Sequence, residues 1–460
     1  MRLHNTLTGR VEEFTPIDNK VKMYVCGITP YSESHLGHAM FSVVFDTLRH
    51  YLEFRGCEVR HVQNYTDIDD KLIARAEREG VPMADVAARY IREFEQDMRT
   101  LNVLPAHVYP RATEEVPAII EMIEGLIEKG YAYAGPARGV EEASDVYFRV
   151  EKKEDYGKLA KRSLDSMLMG ARIEPLEGKE NPMDFTLWKA AKPGEPAWES
   201  PWGPGRPGWH IECSAMSLRH LGPQIDIHGG GLDLVFPHHE NEIAQTEAYT
   251  GLVPFSRFWM HNGFLQLGDE KMSKSLGNLI NMHEAIERYG PDGVRIFILG
   301  SGYRSPLTYS EEAMSAGKTA AERLRNAAAG GEGGSGDPVD GTPFRERFIA
   351  AMEDDMNTSQ ALSVLFELAR ELNRERDAGR NVANAIATLR ELAGVLGLRL
   401  EAVTQDAIAA APFIDLLIEL RKELRDAKQY ALADRIRNGL GDLGIVLEDS
   451  AGGTTWKPKD

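Results

Sequence analysis

The chain predicts an α/β fold: a doubly wound, parallel-sheet domain split by an insertion, followed by a helical bundle and a small carboxyl-terminal region. Three observations point there. The amino-terminal third alternates short apolar runs with segments of helical periodicity. A turn-rich stretch from about Ser144 to Pro207, ending in "KPGEPAWESPWGPGRPGWH", interrupts that alternation. The last third carries helical periodicity almost throughout.

Taken in order, "KMYVCGI" reads as a buried strand, and Ala39–Arg55 reads as a helix with Phe41, Val44, Phe45, Leu48 and Leu52 on one face. "CEVRHVQNYTDID" reads as a second strand, completing a βαβ unit of the kind that opens a nucleotide-binding sheet. Helices follow in "MADVAARYIREFEQDMRTL" and "VPAIIEMIEGLIEKGYAY". Beyond the insertion, the glycine-rich "GGEGGSGDPVDG" has little side chain to pack and reads as a flexible connection. "FIAAMEDDMNTSQALSVLFELARELNRER", "NVANAIATLRELAGVLG" and "FIDLLIELRKELRDAKQYALADRIRNGL" are helical, and "GIVLEDSAGGTTWK" is expected to close as a hairpin.

The bulk properties exclude several classes. Hydrophobic content of 42% and charged content of 27% over 460 residues are those of a globular chain. No apolar run approaches the roughly 18 residues of a spanning helix. The start "MRLHNTLTGRVEEF" lacks an apolar secretory core, so a cytoplasmic location is expected. A net charge of -18 argues against a surface that grips nucleic acid everywhere, leaving room for local basic strips. The three cysteines, Cys26, Cys57 and Cys213, are too few and too scattered for a disulfide framework.

Two of those cysteines lie in strings that hold other candidate ligands, although composition alone favours reading them as small buried hydrophobes. "WHIECSAM" brings Cys213 near "GPQIDIHGGGLDLVFPHHENEIAQ". On a helix beginning near Pro237, His238 and Glu242 share a face, His239 with Glu242 is an alternative pair, and Glu240 points elsewhere. With Cys26 these make a set of zinc-type donors, the competing reading being two small buried thiols and packed imidazoles. "HLGH" (His35 to His38) falls where the first strand gives way to the first helix, a place where a helix terminus and imidazoles can face phosphate and Gly37 lets a base or ribose approach, the competing reading being solvent-exposed or helix-capping histidines. "DEKMSKSLGN" sets Lys271, Ser273 and Lys274 in a polar loop suited to a polyphosphate.

"HLGH" with "KMSKS" resembles the signature pair of class I aminoacyl-tRNA synthetases. "MYVCGITPY", "NYTDIDDK", "GRPGWHIECSAM", "DIHGGGLDLVFPHHENEIAQ" and "EKMSKSLGN" are similar to the cysteinyl-tRNA synthetase family, over nearly the whole chain. Leu36 stands where isoleucine is usual. The resemblance implies a Rossmann-type catalytic domain in two halves, residues 1–115 and 206–268, around a connective insertion at 116–205. It further implies a KMSKS loop and stem-contact region at 269–310, a helical bundle at 311–400 and an anticodon-binding end at 401–460. It implies zinc on Cys26, Cys213, His238 and Glu242, magnesium with ATP, and L-cysteine and tRNA(Cys) as further substrates. Catalysis would fall to His35, His38, Lys271 and Lys274, and substrate or ATP binding to Gly37, Thr66, Trp209, Ser273 and Lys274. For Trp209 the competing reading is plain core packing. A monomer is expected, with no membrane association.

On the tRNA side, Arg421, Arg425, Lys428 and Arg435 read as a basic stripe on one carboxyl-terminal helix, opposite Leu417, Leu420, Leu424 and Ala431. Trp456 is placed to stack on an unpaired base. A ligase coupling cysteine to an amino sugar would share the catalytic core, but the roughly 150 residues beyond "KMSKS" favour the synthetase. A non-catalytic zinc and RNA-binding protein is disfavoured by two complete phosphate signatures.

Overall fold

The structure is a computed structural model that describes residues 1–137, 142–162, 178–267, 270–271, 280–330, 334–401, 410–443, 445–450 and 453–458. Its chain forms two compact units, Met1–Leu400 and Glu401–Asp460. Among the described residues, no helix is long and apolar enough to cross a membrane.

A hairpin of β1 (Arg2–Asn5) and β2 (Arg10–Glu13) precedes β3 (Lys20–Ile28). The Leu36–Phe54 helix then returns the chain to β4 (Glu58–Tyr65), parallel to β3. That helix begins three residues before the expected Ala39. His35 is extended (φ -121°, ψ 167°), and it exchanges capping hydrogen bonds with His38, so the imidazoles themselves start the helix. Helices Asp70–Glu79, Met83–Thr100 and Val116–Glu128 follow.

The insertion builds its own antiparallel sheet from β5 (Ala132–Ala134), β6 (Val146–Phe148), β7 (Phe185–Ala190) and β8 (Gly205–Pro207), in that order. Its apolar face shares a core with the Val116–Glu128 helix and with Ile211, Ala215, Ala244 and Ala248 of two helices that return to the main domain, Trp209–Leu221 and Glu240–Thr250. β9 (Ile225–Gly231) and β10 (Ser256–Asn262) complete the main sheet, with order β10-β9-β3-β4 and all neighbours parallel. Strand alternation divides its two faces. Met23, Val25, Ile227 and Met260 pack with the Leu36–Phe54 helix. Tyr24, Cys26 and Trp259 face Cys213, Met216 and Ile243 of the two returning helices.

β11 (Leu265–Leu267), β12 (Glu270–Lys271) and β13 (Leu307–Tyr309) form a small mixed sheet beyond β10. Helices Met282–Tyr289, Pro291–Leu299, Glu311–Ala329, Thr342–Glu353, Thr358–Asp377 and Ala383–Val395 then continue the core that begins under β3. The glycine-rich connection is held in its described part: the Ser335 amide donates to the Gly379 carbonyl at 2.9 Å and the Val339 amide to the Asn381 carbonyl at 2.9 Å. Backbone pairing substitutes there for the side chains that the sequence lacks.

Residues 401–460 contain helices Ala410–Asp426 and Tyr430–Asp442 and a hairpin of β14 (Ile445–Ser450) and β15 (Gly453–Pro458), around Ile414, Leu440 and Leu447. The single basic helix expected here is broken. Lys428 adopts φ 59° between the two helices, and Arg421 is buried at 2% exposure, so the four cations do not share one stripe. Periodicity carried across the break because the turn between the helices is short.

The main unit is pinned by a buried ion pair. Arg295 contacts Asp46 at 2.7 Å with both side chains at 1% exposure or less. The same guanidinium donates to the carbonyls of Leu396 and Leu101 at 2.9 and 3.0 Å. Arg295→Ala strands a buried carboxylate, and a loss of about 3–5 kcal/mol is expected, read as a lowered thermal transition.

Candidate active site

A cleft of about 680 Å³ opens at the carboxyl ends of β3, β9 and β10, beside the point where strand order reverses about β3. Crevices at such a position bind ligands in open parallel sheets, because helix amino termini and loops converge there. One wall is the start of the Leu36–Phe54 helix. The His35 and His38 rings stack at 3.8 Å, and a carbon on Gly37 would lie 2.9 Å from His35 Nδ1, which is why the pair needs glycine between them.

The same wall receives the far end of the "KMSKS" loop. Leu36 donates its amide to the Ile280 carbonyl at 2.9 Å, and Met282 donates to Ser34 at 3.1 Å. Asn281 Nδ2 adds a bond to Glu33 Oε2 at 2.8 Å. Lys271 ends β12 opposite Gln266. Its side chain, Ser273 and Lys274 lie outside the described residues.

The floor of the cleft is Cys26, on the inward face of β3. Its sulfur lies 3.8 Å from Cys213 Sγ and 3.5 Å from Glu242 Oε1, and His238 Nε2 lies 3.1 Å from that same oxygen. With Zn–S near 2.3 Å and Zn–N or Zn–O near 2.0–2.1 Å, tetrahedral edges are about 3.8 Å for S–S and 3.3–3.6 Å for the mixed pairs. The four donors therefore fit one small cation, all lying within 4.8 Å of one another and all buried.

A second set, Cys26, His228, His239 and Glu242, meets the same limit. It shares an edge with the first, so the alternative of His239 in place of His238 is geometrically present. Their hydrogen bonds distinguish the two histidines. His238 Nδ1 meets His210 Nδ1 at 2.9 Å, whereas His239 Nδ1 meets His261 Nε2 at 2.8 Å and its other nitrogen approaches Cys26 Sγ at 3.2 Å. His228 Nε2 holds the outer oxygen of Glu242 at 2.9 Å. Outer partners of this kind orient ligands and fix their tautomers.

The electrostatics are those of a ligand cluster. The hydrogen bond from Cys26 draws the Cys213 thiol down to about 6 despite its burial. Burial, and then the neighbouring Cys213, push Cys26 up. Burial would also lower His238, but the negative charges of Glu242 and Cys213 raise it to about 10. Glu242, disfavoured by burial, is held at about 2 by His228 and His238.

Trp209 begins its helix, remains 41% exposed and stacks on His238 at 4.3 Å, so it lines the cleft and is not core. Thr66 sits behind the cleft, buried, accepting from Asn64 Nδ2 at 3.2 Å. Asn64, His210, His228 and His261 were missed in the sequence. The signal available was a polar residue at the carboxyl end of an apolar strand, as in "IDIHGGG" and "FWMHN".

The sequence matches the family profile described as "tRNA synthetases class I (C) catalytic domain" over residues 13–319 and a "DALR domain" over 347–401. A protein named cysteine–tRNA ligase from Dehalococcoides mccartyi is 59% identical over the full length of both chains. One from Thioalkalivibrio sulfidiphilus is 50% identical over 99% of each. The chain belongs to the cysteine–tRNA ligase family of class I synthetases. Its fold is shared with Mycobacterium tuberculosis methionyl-tRNA synthetase, solved with methionyl-adenylate, at TM-score 0.59 and 18% identity, covering 87% of this chain and 94% of the other. The backbone explains one family string directly. In "CGI" a carbon on Gly27 would lie 1.6 Å from the Asn64 carbonyl oxygen of β4. Gly27→Ala is therefore expected to cost about 3 kcal/mol or more by overpacking, checked by thermal melting.

Proposed function

We propose that the chain activates L-cysteine with ATP to give cysteinyl-adenylate and pyrophosphate, and then transfers the cysteinyl group to the 3′-terminal ribose of tRNA(Cys). The observation that carries this reading is the convergence of Cys26, Cys213, His238 and Glu242 on the floor of a cleft whose wall is the His35–His38 helix start. The donor set suits zinc, held by those four residues. Bound there, zinc supplies a coordinate bond to the substrate thiolate, a stronger discrimination against serine than the roughly 1–3 kcal/mol that an apolar pocket gives.

The protein's own groups do the rest. Trp209, stacked on His238, closes the side of the thiol pocket, and Thr66 supports the strand end beneath it. A carboxylate oxygen of cysteine attacks the α-phosphorus of ATP, and the bond to pyrophosphate breaks. His35 and His38, at a helix amino terminus, stabilise the phosphates in flight, and Gly37 leaves room for the nucleoside. Lys271, Ser273 and Lys274 close over the leaving pyrophosphate, with magnesium accompanying the nucleotide. In the second step the ribose 2′-hydroxyl attacks the acyl carbon and AMP departs.

The remaining assignments follow the same reading. Segments 1–115 and 206–268 form the two catalytic halves, 116–205 the connective insertion, 269–310 the loop and stem-contact region, 311–400 the helical bundle and 401–460 the anticodon end. Trp456, whose indole donates to Asp415 Oδ1 at 3.1 Å, offers its ring to an unpaired base. The enzyme acts as a cytoplasmic monomer.

Cysteine-dependent exchange of pyrophosphate into ATP tests the first step, and charging of tRNA(Cys) tests the second. Cys213→Ser is expected to lose most bound zinc and to lower exchange at least ~100-fold; a variant with full exchange and no metal would sink the zinc reading. Zinc affinity should also depend on pH. Ligation requires two thiolates and a neutral imidazole, whereas Cys26 and His238 carry protons at neutral pH. Binding therefore releases about two protons between pH 6 and 9, and about three below pH 6, where Cys213 is also protonated. Affinity rises with pH accordingly, read by competition with a chelator across that range.

A further inference from the structure

Glu240 lies between His238 and Glu242 in sequence, is buried at 1% exposure, and turns its carboxylate away from the metal donors. One oxygen accepts from the Gly157 amide at 2.9 Å, and the other accepts from the Leu159 and Ala160 amides, both at 2.9 Å. Three backbone donors of the insertion thus converge on one side chain. The same segment makes further ties to this helix. The Tyr156 hydroxyl donates to Asn241 Oδ1 at 2.5 Å, and Lys153 and Lys158 reach Glu247 at 2.9 and 2.6 Å. Leu159 is itself buried at 1% exposure among Cys26, Cys213 and Ile243.

These ties matter because the turn that carries the histidine is irregular, although the Glu240 amide donates to the Pro237 carbonyl and joins it to the helix that follows. Val235–His239 runs as a π turn interrupted at Phe236 (φ -141°, ψ 133°), and the Glu240–Thr250 helix has no side-chain amino-terminal cap. The position of His238 relative to Glu242 is therefore set partly from outside. The donors that set it come from residues 157–160.

We propose that Glu240 is a positioning residue: anchored on the backbone of residues 157–160, it holds the turn bearing His238 and Glu242 in register with Cys26 and Cys213, and so governs metal retention and thiol recognition. This rests on the reading of those four residues as the zinc ligands. A glutamine at 240 keeps one acceptor oxygen but presents an amide nitrogen to a backbone amide, so the anchor loosens without change of size.

The test compares zinc-loaded wild-type enzyme, Glu240→Gln and Tyr156→Phe. Glu240→Gln leaves a buried backbone amide facing an amide nitrogen, and the loosened anchor is expected to let zinc pass to a colorimetric chelator about tenfold faster. KM for cysteine should rise while KM for ATP stays at the wild-type value. Tyr156→Phe, which removes one hydroxyl from the same segment, is expected to shift both readouts in the same direction by about two- to threefold, and it decides the matter if Glu240→Gln does not fold. Zinc release and cysteine KM at wild-type values in the folded variants overturn the proposal, as does a parallel rise in both KM values. A wild-type enzyme that binds no zinc overturns the ligand reading itself, and this proposal with it.

Discussion

Two sulfur atoms from residues 187 positions apart lie 3.8 Å from each other inside the main unit, and much of the surrounding architecture serves that approach. Cys26 needs the inward face of a central parallel strand. Cys213 needs the second turn of a helix laid across that face. Between them the chain leaves the sheet, builds the four-stranded insertion and returns, and its last strand enters the Cys213 helix at once through Gly208, whose amide donates to the Leu187 carbonyl at 2.8 Å. The insertion therefore fixes the entry angle of the helix that completes the donor set.

Burying that many ionisable groups is costly unless they neutralise one another or hold a cation. Here they do so in layers. Glu242 takes one histidine on each oxygen, His228 and His238, and beyond them His210 partners His238 while His261 partners the neighbouring His239. Small residues make the space: a carbon on Gly230 would lie 2.8 Å from His239 Cε1. Gly230 thus serves the packing of the imidazole beside it, while a carbon on Gly229 would meet the Phe45 ring at 2.3 Å.

The helix-start side of the cleft is built by a different device. The "HLGH" helix start and the segment leaving the "KMSKS" loop are joined by backbone hydrogen bonds on both sides of His35, so signatures more than two hundred residues apart form one edge of the cleft. A loop anchored at β12 before it and at Ser34–Leu36 after it has fixed ends whatever its middle does.

The sequence by itself determined the βαβ opening, the helical last third, the closing hairpin and the candidate donors, because strand and helix periods and rare residue types are local properties. It also carried the family, through strings such as "GWHIECSAM" that are specific in their own right. Only the tertiary structure decided the choices that depend on distance. These are which histidines surround Glu242, that Trp209 faces the cleft, that Arg421 is buried and Lys428 breaks its helix, and that Glu240 ties the insertion to the donor-bearing turn. The reason is physical: periodicity reports which face of an element is apolar, but a coordination site is made where several elements converge, and no single segment encodes that convergence.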